Sequence, residues 1–258
     1  MKSLLHLEYR RLFRTKSFYV GLAVSFVLLL ITALTSKAMY EMVSETDAAN
    51  SFAMIGIAKP TVLGTIKGFG GTNFTYIAAI FVAIFVAEDF TSDTIKNIYA
   101  KGLSRVSVCI AKYVSSLSAC LLYIGANLFF SFAIAEVLGF EQGTAGENYI
   151  GSILTAVLIL IAYHAVFFLI SVTIRKTGGA IALSIFGPMI VGLILSLIDL
   201  ALRLDDVTIA SYWITGQLST MAGTDVETTD IVASLIISGV LIGGCFALSL
   251  FANRKREN

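Results

Sequence analysis

The polar residues best spaced to act together fall between positions 88 and 112: Glu88, Asp89, Asp93, Thr94, Lys96, Asn97, Lys101, Arg105 and Lys112. Carboxylates, amides and bases interleaved in this way suit ion pairing and docking. They do not make a bond-breaking set. The chain has two histidines, His6 and His164, too few for a His-rich zinc site. It contains neither a Gly-x-Ser-x-Gly elbow nor an H-E-x-x-H helix, which counts against an intramembrane enzyme. Cys109, Cys120 and Cys245 lie in apolar stretches with no C-x-x-C spacing and read as small core residues, so neither a bridge nor a metal site is expected. No G-x-x-x-x-G-K-[ST] phosphate loop occurs, and Gly68-Phe69-Gly70-Gly71 lacks the lysine. The expectation is a protein that is not itself an enzyme, binds no metal and holds no nucleotide.

The elements that must position the charged run can be read from its punctuation. Thr91, Ser92 or Asp93 can cap a helix over about 92–101, with Ile95, Ile98 and Tyr99 as its apolar face. Gly102 ends it, and a new helix starts near Ser104 and runs through Lys112. Such a short amphipathic helix is either a docking surface or an ordinary solvated loop helix. On both sides of it the chain is greasy. Of 258 residues, 57% are apolar and 14% charged, with a mean hydropathy of +0.87, whereas soluble domains carry about 25% charge. A bilayer takes roughly 20 apolar helical residues to cross. Six stretches qualify, at about 17–36, 73–87, 113–135, 150–174, 180–202 and 231–252. The segment before the second is itself fairly apolar, and Gly68, Gly70 and Gly71 predict a break there rather than one continuous helix. The first stretch is too long for a cleaved signal and no A-x-A site follows, so it reads as a retained span.

With the N-terminus inside, the inner segments hold fourteen of the 18 basic residues, which places both termini in the cytoplasm of a multi-pass protein of the cell membrane. Residues 1–16 form an amphipathic helix with Leu5, Tyr9, Leu12 and Phe13 on one side, read as interfacial or, alternatively, as a helical positive flank. The outer acids could attract a cationic solute, although retention of bases inside is the plainer cause. Segment 203–230 contains the sole tryptophan, Trp213, and reads as an outer cap or a headgroup anchor. Gly187-Pro188 predicts a kink or break in the fifth span. Asn127 is among the few polar groups in the spans, and His164, midway along the fourth, reads as a hydrogen-bonded structural residue rather than a proton relay. Asn127, His164, Pro188 and Trp213 are the candidates for a pathway or gate. A secondary transporter or channel would require internal repeats or buried ionisable groups, and only the Gly187-Pro188 break favours one.

The order of acidic residue, Asp-Thr-Ile-Lys-Asn, Gly-Leu-Ser-Arg and downstream Lys resembles the cytoplasmic loop of type 2 ATP-binding-cassette permeases, especially small six-span bacterial ones. Glu88 or Asp89, Thr94, Lys96, Asn97, Arg105 and Lys112 occupy the family's places, and Asp93 stands where Gly is common. The resemblance implies an all-α polytopic fold with an N-terminal interfacial helix and a cytoplasmic coupling helix, in a single permease domain over 1–258. It implies that Asp93, Thr94, Lys96, Asn97, Lys101 and Arg105 touch a separate cassette ATPase, expected in two copies, which binds the ATP and Mg. Glu88 and Lys112 would brace the loop. A second permease, identical or related, and membrane lipid are the other implied partners, and no nucleic acid is expected. Small permeases of this kind commonly export amphipathic or antimicrobial peptides or give protection against them, so a solute of that type is the expectation.

Overall fold

The structure is a computed structural model that describes residues 2–44, 59–92, 99, 102–202, 208–223 and 226–254. Its helices are α1 (Lys2–Arg14), α2 (Lys16–Ser44), α3 (Val62–Lys67), α4 (Thr72–Thr91), α5 (Arg105–Val137), α6 (Tyr149–Ile174), α7 (Thr177–Leu202), α8 (Ile214–Ala222) and α9 (Thr228–Arg254), with 3-10 turns at Gly68–Gly70 and Ile209–Tyr212. No β-strand occurs among the described residues, and the fold is all-α. Six helices are long and apolar enough to cross a membrane: Lys16–Met42, Val62–Thr91, Arg105–Val137, Tyr149–Ile174, Thr177–Leu202 and Thr228–Asn253. Each overlaps one apolar stretch of the sequence and outruns it. Helical hydrogen bonding carries on into flanking polar residues, where a count of apolar residues stops.

The second crossing is broken at its glycines. α3 ends at Gly68, the turn Gly68–Gly70 follows, and Gly71 (φ −56°, ψ 178°) leaves the helical region before α4 begins. α4 and α6 form the centre of the bundle: 71% and 56% of their most apolar windows are buried, against 11% for α7 and 17% for α2 and α9. Phe81, Phe85, Tyr123, Tyr163, Phe167 and Phe168 fill the core between α4, α5 and α6. The outward surfaces of α2, α7 and α9 carry Val27, Ile31, Leu193, Leu197, Ile236 and Val240, as expected of faces turned toward lipid, where an apolar exterior costs nothing. α2 approaches α5 closely at Gly21, whose added Cβ would collide with the Tyr123 hydroxyl; that hydroxyl donates to the Phe18 carbonyl at 2.7 Å.

α1 packs on α5. Its buried stripe is Leu4, Glu8 and Leu12, with Leu5 and Tyr9 at the edge and Phe13 exposed. The stripe therefore lies to one side of the expected Leu5, Tyr9, Leu12 and Phe13 face, because Glu8 has partners inside that a hydrophobicity count cannot foresee.

Candidate functional site

The site takes shape where α1, the last turn of α4 and the second turn of α5 meet. Three ionisable side chains lie there almost out of solvent: Glu8 and Lys112 at 1% exposure and Asp89 at 3%. The Asp89 carboxylate accepts from both the Arg11 guanidinium and the Lys112 ammonium. Glu8 lies 3.4 Å from Lys112 and 4.0 Å from Arg11. Two cations thus face two anions, which is the condition under which buried charge is tolerated. Below them the Phe85 ring lies 5.2 Å from the Arg11 guanidinium carbon and 6.0 Å from the Lys112 nitrogen, and its π-face adds cation attraction in a desolvated place. Tyr9 completes the joint, its hydroxyl 2.5 Å from that of Ser118 on α5.

This ionic joint stands near both roots of segment 93–101, since Asp89 lies in the last turn of the helix before it and Lys112 in the second turn of the helix after it. A second set of contacts links Tyr99 and the helix ends on either side of that segment to α6 and α9. The Arg105 guanidinium lies over the Tyr99 ring at 5.3 Å, and the Arg105 carbonyl accepts from Asn253 near the end of α9 at 3.1 Å. Arg175 donates to the same Asn253 side chain at 3.3 Å and lies 4.9 Å over Phe90. Arg175 occupies the left-handed region (φ 58°) that closes α6, a conformation that costs a side-chain-bearing residue about 1–2 kcal/mol. Its contacts to Asn253 and Phe90, and the bond from the Thr91 hydroxyl to its carbonyl at 3.2 Å, stabilise that corner.

Of the residues expected to dock a partner, Arg105 is at this face, while Asp93, Thr94, Lys96, Asn97 and Lys101 lie outside the described residues. Glu88 lies 4.0 Å from Arg11 with its side chain 56% exposed, and the buried carboxylate of the joint, paired with Lys112, is that of its neighbour Asp89. Asn127 joins α2 to α5, accepting from Ser25 at 2.6 Å and donating to the Tyr123 carbonyl at 2.8 Å. His164 pairs with Ser116 at 2.9 Å beneath the edge of Tyr113. Pro188 and Trp213 come together at the far end of the bundle, where the indole donates to the Pro188 carbonyl at 2.9 Å. Sequence reasoning missed Glu8, Arg11, Arg175 and Asn253. Glu8 did carry a signal, since it falls at i+4 from Leu4 and i−4 from Leu12 and so shares their helical row.

A scan against family models matches residues 4–192 to the ABC-2 family transporter proteins. The chain belongs to that family. No curated protein matches it. As an ABC-2 family transporter the chain is an integral membrane protein and the membrane part of a transport system. The family match takes in the whole ionic joint, from Glu8 through Asp89 to Lys112, and most of α7.

Proposed function

We propose that this ABC-2 chain is the permease of an ATP-driven exporter, moved by a cassette ATPase that docks on segment 92–101. The observation that carries the proposal is the buried joint of Glu8, Arg11, Asp89 and Lys112. It ties both roots of that segment to α1, so a push on the segment moves α1, α4 and α5 as one body. An exposed loop helix on flexible roots would dissipate the same push. Docking falls to Asp93, Thr94, Lys96, Asn97, Lys101 and Arg105, with the ATP and Mg held by two ATPase copies. A second permease completes the translocation path, both termini face the cytoplasm, and the solute is an amphipathic or antimicrobial peptide or a similar hydrophobic compound. Proton-driven carriage would use ionisable groups at the midplane; among the described residues the buried acids and bases lie at the helix ends, and His164 is tied to Ser116.

The test is co-purification with the cognate ATPase and measurement of its stimulation. Deleting 93–101 should abolish association, while Asp89→Asn should leave association intact and remove stimulation of the ATPase by solute. If the deletion variant still binds and stimulates the ATPase, the docking assignment is wrong. Transport that survives ATP depletion but stops on collapse of the proton gradient would replace the exporter with a secondary carrier.

A further inference from the structure

At the end of the bundle away from both termini, two cavities join between α4, α6, α7 and α8. The inner one encloses about 270 Å³ beside Lys67, Tyr163, Phe167, Ile185, Pro188 and Met189 and is mainly apolar. The Ser184 hydroxyl, 1% exposed, lines it and has no hydrogen-bond partner. The outer one is an open groove of about 700 Å³ between α7 and the Thr208–Thr220 segment, sharing Tyr76, Met189, Thr215 and Ser219 with the first. Five of its hydroxyls donate within the protein. Ser196 donates to the Gly192 carbonyl at 3.0 Å, Ser211 to Thr208 at 2.6 Å, Ser219 and Thr220 to Gly216 at 2.7 and 3.1 Å, and Tyr76 to the Met189 sulfur at 3.3 Å. With their protons so committed, these groups have only lone pairs left for a guest. Asp199 adds a carboxylate at the rim. It accepts from the Ile209 and Ala210 amides at 2.8 Å each, and no cation pairs with it among the described residues.

We propose that this double cavity binds an amphiphile with a protonated amine head. The ammonium sits in the acceptor-lined groove near Asp199, and the apolar chain enters the inner pocket toward Ser184. Three N–H donors on one small cation match the five groove hydroxyls whose protons are already bonded within the protein. In the outer groove a carboxylate or phosphate head would meet those lone pairs and a like charge; the Lys67 ammonium lines the inner pocket instead, where it donates to the Gly223 carbonyl. The proposal gives a solute class to the exporter reading and rests on it for the direction of travel; binding itself requires no ATPase.

Trp213 is the chain's single tryptophan. A Cβ added at groove residue Gly192 would lie 3.5 Å from its ring, so indole fluorescence reads occupancy directly. The purified chain in phosphatidylcholine nanodiscs, without ATPase, is titrated with dodecylamine, dodecanol and dodecanoate. Dodecylamine should give a saturable change at least about tenfold tighter than either of the others, the value of hydrogen bonds to a charged group. Ser219→Ala with Thr220→Val should remove that preference while leaving dodecanol binding unchanged, and Ser184→Leu should weaken all three by filling the pocket. Equal affinity for the three heads, or no saturable change, overturns the proposal whether or not the chain couples to an ATPase. The source of the amine is read by repeating the titration in phosphatidylethanolamine discs. Weakened dodecylamine binding there identifies a lipid ammonium as the occupant, and unchanged binding identifies a free amphiphile.

Discussion

Asp89 and Glu88 are adjacent and chemically alike, yet their environments assign them different work. Asp89→Asn leaves Lys112 buried beside a neutral amide, and removal of one partner from a buried ion pair costs about 3–5 kcal/mol. Thermal unfolding of the purified protein should show that loss, and Asp89→Leu with Lys112→Met should not recover it in full, since buried Glu8 then loses its nearest cation. Glu88→Gln should cost less than about 1 kcal/mol, as an exposed and distant ion pair contributes little. A large effect at position 88 with none at 89 would reverse the assignment. The sequence showed an acidic residue near the end of the helix, and the family resemblance named Lys112 as a brace of the same loop. It could not choose between neighbours, because that choice depends on where Arg11 arrives from a helix 78 positions away. The same limit hid Asn253, whose partners are Arg105, which begins α5, and Arg175, which caps α6.

Among the elements, the six crossings were legible because a bilayer imposes one length and one composition on each. The break in the second was legible because three glycines within four residues cannot sustain a helix against their backbone entropy. The face of α1 was less so, since burial of Glu8 is decided by two cations from other elements and from its own next turn. The Ile209–Tyr212 turn and α8 form a small module that Gly216 allows to close, because a Cβ there would strike the Ala210 carbonyl and the Ser211 backbone. Gly216→Ala should therefore separate the turn from α8 and release Trp213 from the Pro188 carbonyl. A red shift of indole emission with little change in helical content checks this; an unshifted spectrum would mean that the module closes without the glycine. Pro188 sits inside α7 rather than ending it, and the Trp213 bond to its carbonyl gives that carbonyl a partner from outside the helix.

For the molecule as a whole, Arg11, Asp89, Arg105, Arg175 and Asn253 gather at one end, while Lys67, Asp199 and Trp213 mark the other. The excess of bases at the first end predicts that it faces the cytoplasm. A membrane-impermeant maleimide should label Glu141→Cys in intact cells and Lys16→Cys only after permeabilisation, and the opposite pattern would turn the protein over. The burial of the ionic joint has a consequence for how the machine comes apart. Charges in solvent are screened within about 3 Å in molar salt, whereas enclosed pairs feel it far less. If an ATPase docks on segment 92–101 as proposed, a concentrated chloride wash should strip it and leave the ionic joint of Glu8, Arg11, Asp89 and Lys112 assembled. Dialysis back to dilute buffer should then restore full coupling without refolding.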